Sequence, residues 1–195
     1  MKMKICIRAL IGIALGATLA LPVLSDTPWN YPSLALIFAC LACISMWDIA
    51  TLEIPQLLLN FLSVCVIADR IITVVVSGQL WSVIVNSLGG ALLCFGFFAG
   101  VYYVSLKLLK KEGIGFGDVK LMSVAGLLLG VGKSVFAVAA ASVCACVILL
   151  ILKALTKTDR EYPFAPFLSS GIAVSCLFYD RLITAYFGLL DKLLI

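Results

Sequence analysis

Histidine is absent from this 195-residue chain and charge is scarce, with 14 Lys and Arg and 10 Asp and Glu against a 64% share of hydrophobic residues. The missing imidazole removes the commonest metal ligand. The missing charge excludes a soluble globular domain, in which about a quarter of residues are charged. Also absent are a glycine-rich dinucleotide or phosphate-loop fingerprint, a heptad array and a low-complexity tract. The net charge of +4 is therefore read as membrane topology, and no nucleic-acid partner is expected. What remains is an all-α, polytopic transmembrane helix bundle in contact with membrane lipid.

Of the eight cysteines, Cys40, Cys43, Cys65, Cys94, Cys144, Cys146 and Cys176 fall within the later apolar runs and read as small hydrophobes. Cys40-x-x-Cys43 has the spacing of a metal knuckle. It has no second pair in a polar loop and no histidine to join it, so no metal site is expected.

Apolar runs predict about seven helices: Ile5 to Leu24, Tyr31 to Trp47, Gln56 to Val76, Leu80 to Leu109, Val119 to Val131, Ser134 to Leu152 and Pro166 to Leu190. The fifth is short for a span of about 20 residues. Its Gly126 and Gly130 point to close helix packing or to a helix that starts inside the bilayer. The chain divides into an N-terminal segment, 1–25, and a membrane-embedded core, 31–195. The N-terminal segment is a transmembrane helix or, given its basic start and Val23-Leu24-Ser25, a cleaved signal peptide. Basic residues cluster before the first span (Lys2, Lys4, Arg8), before the fifth (Lys107, Lys110, Lys111) and after the sixth (Lys153, Lys157, Arg160). Alternating spans put all three clusters on one side, which by the positive-inside tendency is the cytoplasm. Asp48, Glu53 and Asp118 fall on that face too.

Asp118 closes the run Gly115-Phe116-Gly117-Asp118 where a loop enters an apolar stretch. Glycines at 115 and 117 let the main chain approach a bound peptide or a neighbouring helix. The plain alternative is a turn whose acid caps a helix N-terminus. Asp48 ends the second span, and Pro55 marks the entry to the next helix. Ionisable groups at membrane depth are costly and are functional candidates by default. If the bundle brings Asp48 and Asp118 together, the pair would share one proton and suit the chemistry of an aspartic protease.

Gly113-Ile114-Gly115-Phe116-Gly117-Asp118-Val119-Lys120-Leu121-Met122 resembles the signature of the type IV prepilin leader peptidases. Asp48 followed by Ile54-Pro55 resembles the family's first aspartate with its Ile/Leu-Pro. Pro163-Phe164-Ala165-Pro166-Phe167-Leu168 with Gly171 resembles its Pro-Phe-x-Pro-Phe-Leu segment. Presenilin-like proteases share Gly-x-Gly-Asp but set their other aspartate after a tyrosine. The resemblance implies that a short basic leader is cut from prepilins or pseudopilins after a glycine, at the cytoplasmic face of the bacterial inner membrane. Asp48 and Asp118 would be catalytic, Gly115 and Gly117 would admit the substrate backbone, and Glu53 would attract the leader or stand as a solvated loop acid. Lys120 is expected to hold an interfacial position or to lower the local acid pKa rather than to take part in the chemistry.

Long family members also methylate the new N-terminus with S-adenosylmethionine and carry a paired Cys-x-x-Cys insert between their first two helices. This chain has only Ser25 to Asn30 there, so S-adenosylmethionine is expected only if methylation is retained, and no cofactor is needed for proteolysis. Asp69-Arg70 and Asp180-Arg181 lie at similar depths and are expected to pair across helices or to mark helix ends. Rival readings are a small transporter or ion relay, and an inactive pilus-assembly subunit.

Overall fold

The structure is a computed structural model that describes residues 31–110, 114–156 and 162–194, all but the connections in helices. Five helices follow in order: α1 (Tyr31–Thr51), α2 (Gln56–Ser77), α3 (Leu80–Leu109), α4 (Phe116–Thr156) and α5 (Ala165–Leu194). Each is long and apolar enough to cross a membrane. The protein is thus an integral membrane helix bundle. The first expected span, Ile5 to Leu24, lies outside the described residues, as do Gly113, Lys157 and Arg160.

Turn chemistry sets the ends. Pro55, extended at φ −68° and ψ 125°, precedes α2, and Gly78 in the left-handed region (φ 68°) closes it by donating its N–H to the Val74 carbonyl at 2.9 Å. Leu52, also left-handed at φ 58°, ends α1 by donating to the Asp48 carbonyl at 2.7 Å. This α1 runs four residues past the expected Trp47, so Asp48 sits in its last turn.

The expected fifth and sixth spans form one element, α4, broken at Gly130 (φ 72°, ψ −178°). Only glycine adopts that geometry without strain. The chain reverses there. The first limb runs antiparallel to α3, with Phe116 against Tyr102 at one end and Val131 against Asn86 at the other. The second limb runs antiparallel to α5, since Lys133 meets Ser175 and Asp180 while Ala137 and Ala141 meet Gly171. At the break, the Val131 N–H donates to Asn86 Oδ1 at 3.1 Å, and the Ser134 hydroxyl donates to the Gly130 carbonyl. Backbone groups freed at membrane depth are thereby satisfied.

Ile37, Ile44, Leu62, Met122, Leu168 and Ile172 are fully buried between α1, α2, the first limb of α4 and α5. Leu57, Val75 and Trp81, each more than three-quarters exposed, point outward, as suits a surface solvated by lipid. The expected close packing at Gly126 is real: a methyl on Gly90 of α3 would overlap the Gly126 carbonyl, and one on Gly126 would overlap that of Gly90.

At the end away from Asp48, the two acid-base pairs resolve differently from one another. Asp69 is buried and accepts from the Ser33 hydroxyl of α1 at 2.6 Å and from Arg70 beside it in sequence. Asp180 pairs with Lys133 of α4 at 2.6 Å. Both helices continue through these residues, to Ser77 and Leu194. Cys40 and Cys65 are buried, Cys43 is exposed, and all three are free thiols.

Candidate active site

Two helix N-termini converge on two acids. The start of α5 is set by Pro166, whose ring supplies helical φ but no N–H. The Phe164 carbonyl accepts from Phe167 at 3.0 Å and from Leu168 at 3.2 Å, closing the first turn and leaving the Ala165 N–H without an intrahelical partner. Asp48 fills that vacancy from α1: its Oδ2 accepts from the Ala165 N–H at 3.0 Å, and the Phe164 N–H also reaches the carboxylate. The Ser45 hydroxyl, one turn earlier, donates to Ser169 Oγ at 2.9 Å and fixes the register of α1 on α5.

Asp118 stands in the first turn of α4. Its N–H donates to the Gly115 carbonyl at 3.0 Å, and its carboxylate accepts from the Gly115 N–H. The plain capping role is therefore present as well. Capping does not exhaust it, because Asp118 also lies within electrostatic reach of Asp48. Both carboxylates are buried, at 6% and 7% exposure. Two buried acids within electrostatic reach of one another, each at the positive end of a helix, are an arrangement that can share one proton.

The glycines divide their work. Gly115 is exposed, and a methyl there would stand 3.6 Å from Asp118 Oδ2, in ordinary contact. Gly117 faces inward, where a methyl would come within 3.0 Å of Ile54 Cβ. Ile54 of the Asp48 loop thus packs on the Gly-x-Gly-Asp turn, and Lys120 Nζ, 5.1 Å above the Phe116 ring, donates to Gln56 Oε1 at 2.8 Å. Lys120 stitches α4 to α2. Glu53 is exposed, its N–H on Thr51 Oγ1 at 3.4 Å. Among the described residues no group of three His, Cys, Asp or Glu side chains lies together as a metal site.

Gly117→Val is expected to lower turnover by roughly 10- to 100-fold, since it displaces the loop that links the two aspartates. Adding Ile54→Ala, which vacates the contested space, should restore part of the loss. A cleavage assay on the single and double variants checks this, and a double variant no better than Gly117→Val alone would rule out the contact as the cause.

Sequence reading missed the Ala165 and Phe164 N–H groups and the Gln56–Lys120 link. The first had a signal, a proline just inside a helix start; the second had none, being a contact between surface polar residues far apart in sequence.

Comparison with known proteins runs through the same residues. Residues 35–151 match the type IV leader peptidase family. Leader peptidase HopD of Escherichia coli is 32% identical over 104 residues, covering 49% of this chain and 67% of that protein. No solved structure matches. The family match begins in α1 and ends in the second limb of α4, taking in both aspartates and the Gly-x-Gly-Asp turn but not the start of α5, and the chain belongs to the type IV leader peptidase family, as a prepilin-type peptidase of the membrane.

Proposed function

We propose that the chain is an aspartic endopeptidase that removes the basic leader of type IV prepilins or pseudopilins after a glycine. The observation that carries this reading is the approach of two buried carboxylates, Asp48 from α1 and Asp118 from α4, beside an exposed glycine turn. In the resting pair one acid is ionised and the other protonated. The ionised acid takes a proton from a water held between them as the water oxygen bonds to the scissile carbonyl carbon. The protonated acid hydrogen-bonds the carbonyl oxygen as it gains charge. Collapse of the tetrahedral intermediate breaks the C–N bond, and the acid that took the water proton passes it to the leaving amine. The proton count of the pair is restored.

The substrate's apolar helix lies in the bilayer beside the bundle, and its glycine junction reaches the exposed turn at Gly115, where no side chain stands over the buried Asp118. Glu53, exposed in the α1–α2 connection, offers negative charge to the basic leader. Lys107 and Lys110 close α3 at this same end, and by the positive-inside tendency they support a site at the cytoplasmic face of the inner membrane. Proteolysis by this route needs no cofactor, and S-adenosylmethionine enters only with methyl transfer.

Co-expression with a prepilin, followed by mass spectrometry of the product, tests the reading. The expected product begins at the residue after the glycine. An uncut precursor, or a cut elsewhere, overturns it. Whether that first residue is one methyl heavier decides the methyl transfer.

A further inference from the structure

The two acids of the site are held by unequal sets of donors. Asp48 accepts from the Ala165 N–H at 3.0 Å and from the Phe164 N–H, so two main-chain donors of a separate element, the start of α5, converge on one carboxylate. Asp118 accepts from one, the Gly115 N–H of its own turn. A main-chain N–H donates and cannot accept, so each one stabilises a carboxylate and offers nothing to a carboxyl proton. Both acids are buried and both stand at helix starts, so neither burial nor the helix dipole separates them. The donor count does. Around Asp48, Asp118 of α4 is the charged group within electrostatic reach. Residues 165–171 of α5 carry no ionisable side chain, Glu53 of the α1–α2 connection is exposed, Lys120 of α4 is turned onto Gln56, and Asp69 and Arg70 of α2 bond each other at the far end of the bundle.

We propose that the pair is asymmetric at rest: Asp48 is the ionised member and takes the proton of the water, and Asp118 is the protonated member that hydrogen-bonds the scissile carbonyl oxygen. The assignment rests on the aspartic reading of the site and adds the role of each acid. It makes Phe164 and Ala165 positioning residues, which act through Asp48 by their main chain, while the fixed φ of Pro166 holds the turn that aims both N–H groups. Access agrees. The Gly115 turn is exposed, and a methyl there would stand 3.6 Å from Asp118 Oδ2, so a peptide laid over the turn brings its carbonyl to Asp118. The water oxygen bonds to the carbonyl carbon as Asp48 takes its proton, and the carbonyl oxygen gains the displaced electron pair under the Asp118 hydrogen bond. Asp48 then returns the proton to the amine nitrogen as the C–N bond breaks. Both acids end as they began.

The pH dependence of kcat/KM tests this, because the two limbs of its bell belong to the two deprotonations of the pair. On the acid limb the pair loses its first proton and becomes active; on the alkaline limb it loses the second. With Asp48 ionising first, loss of the Ala165 N–H makes the active form harder to reach and moves the acid limb to higher pH by about one unit, the scale of one hydrogen bond to a charge. The alkaline limb stays, since Asp48 is ionised on both sides of it. Were Asp118 to ionise first, the same change would leave the acid limb in place and move the alkaline one.

Ala165→Pro removes the N–H at the first residue of α5, a position that favours proline. Lactic acid placed at position 165 exchanges the same N–H for an ester oxygen and keeps the shape, and it serves if Ala165→Pro fails to accumulate. Each is measured beside the unaltered full chain, purified in detergent, on a purified prepilin. The expected result is an acid limb raised by about one pH unit with the alkaline limb unmoved. A raised alkaline limb with an unmoved acid limb gives the base to Asp118. Equal movement of both limbs makes the pair symmetric, and a lower rate with both limbs in place makes Phe164 and Ala165 merely structural. Each of these three overturns the assignment while leaving the dyad. An unaltered chain that cuts the prepilin without a two-limbed profile, or does not cut it, fails at the dyad itself, and the aspartic reading falls together with the assignment.

Discussion

Asp48→Asn and Asp118→Asn should each abolish prepilin cleavage, lowering the rate by at least about a thousandfold, while both variants accumulate in the membrane at the level of the unaltered chain. Asparagine keeps the carbonyl oxygen that accepts from the Ala165 N–H in one site and from the Gly115 N–H in the other, so both helix starts stay satisfied. What it removes is the exchangeable proton. A base and an acid that work on one water contribute as a unit, and removing either forfeits most of the combined effect. The double variant should consequently be no slower than the worse single one. Cleavage within tenfold of the unaltered rate in either single variant would remove that aspartate from the chemistry. Multiplying losses in the double variant would mean that the two act independently.

Both acids were legible in the sequence, because a carboxylate where an apolar run meets a loop is unusual and each sits beside turn residues that define where its helix ends. Helix positions were legible for the same reason: α3 was read at Leu80 to Leu109, the bounds it has. The partner of Asp48 was not. Its hydrogen bond to Ala165 crosses 117 positions, and no local rule links the last turn of one helix to the first turn of another. The reversal at Gly130 was half legible. Separate, alternating fifth and sixth runs announced a reversal between Val131 and Ser134, and their glycines announced close packing, but the break at Gly130 itself follows from a positive φ that sequence only permits. Asp69-Arg70 and Asp180-Arg181 were expected to pair across helices or to mark helix ends; Asp180 does pair across helices, with Lys133, while Asp69 takes its base from its own helix. Arg70 reaches it, since a long guanidinium stem can fold back along its own helix when the surroundings are apolar.

Glycine spacing shows most clearly where sequence leaves a choice that packing decides. Gly126 with Gly130 and Gly96 with Gly100 are equally good small-residue pairs on paper, yet the first pair is pressed against α3, at Gly90 and Asn86, while a methyl on Gly96 or Gly100 would meet nothing within 4 Å. Gly126→Ala should therefore destabilise the bundle by about 1–3 kcal/mol, since backbone must move to admit the methyl, and Gly90→Ala should do the same from the facing helix. Gly96→Ala and Gly100→Ala should leave stability unchanged or raise it by up to about 1 kcal/mol, the ordinary helix preference for alanine. Unfolding of the purified protein by denaturing detergent in mixed micelles measures all four. Equal losses at positions 96 and 126 would mean that the Gly90–Gly126 crossing is not what holds α3 to α4. The crossing bears on chemistry as well. Gly126 lies two turns, about 12 Å, beyond Asp118 on the same short limb, so a shift that opens the crossing tilts the limb and moves Asp118 relative to Asp48. Cleavage should fall in Gly126→Ala even under conditions where the protein remains folded, and stay unchanged in Gly96→Ala. That contrast separates a scaffold that merely survives from one that still holds two carboxylates at working distance.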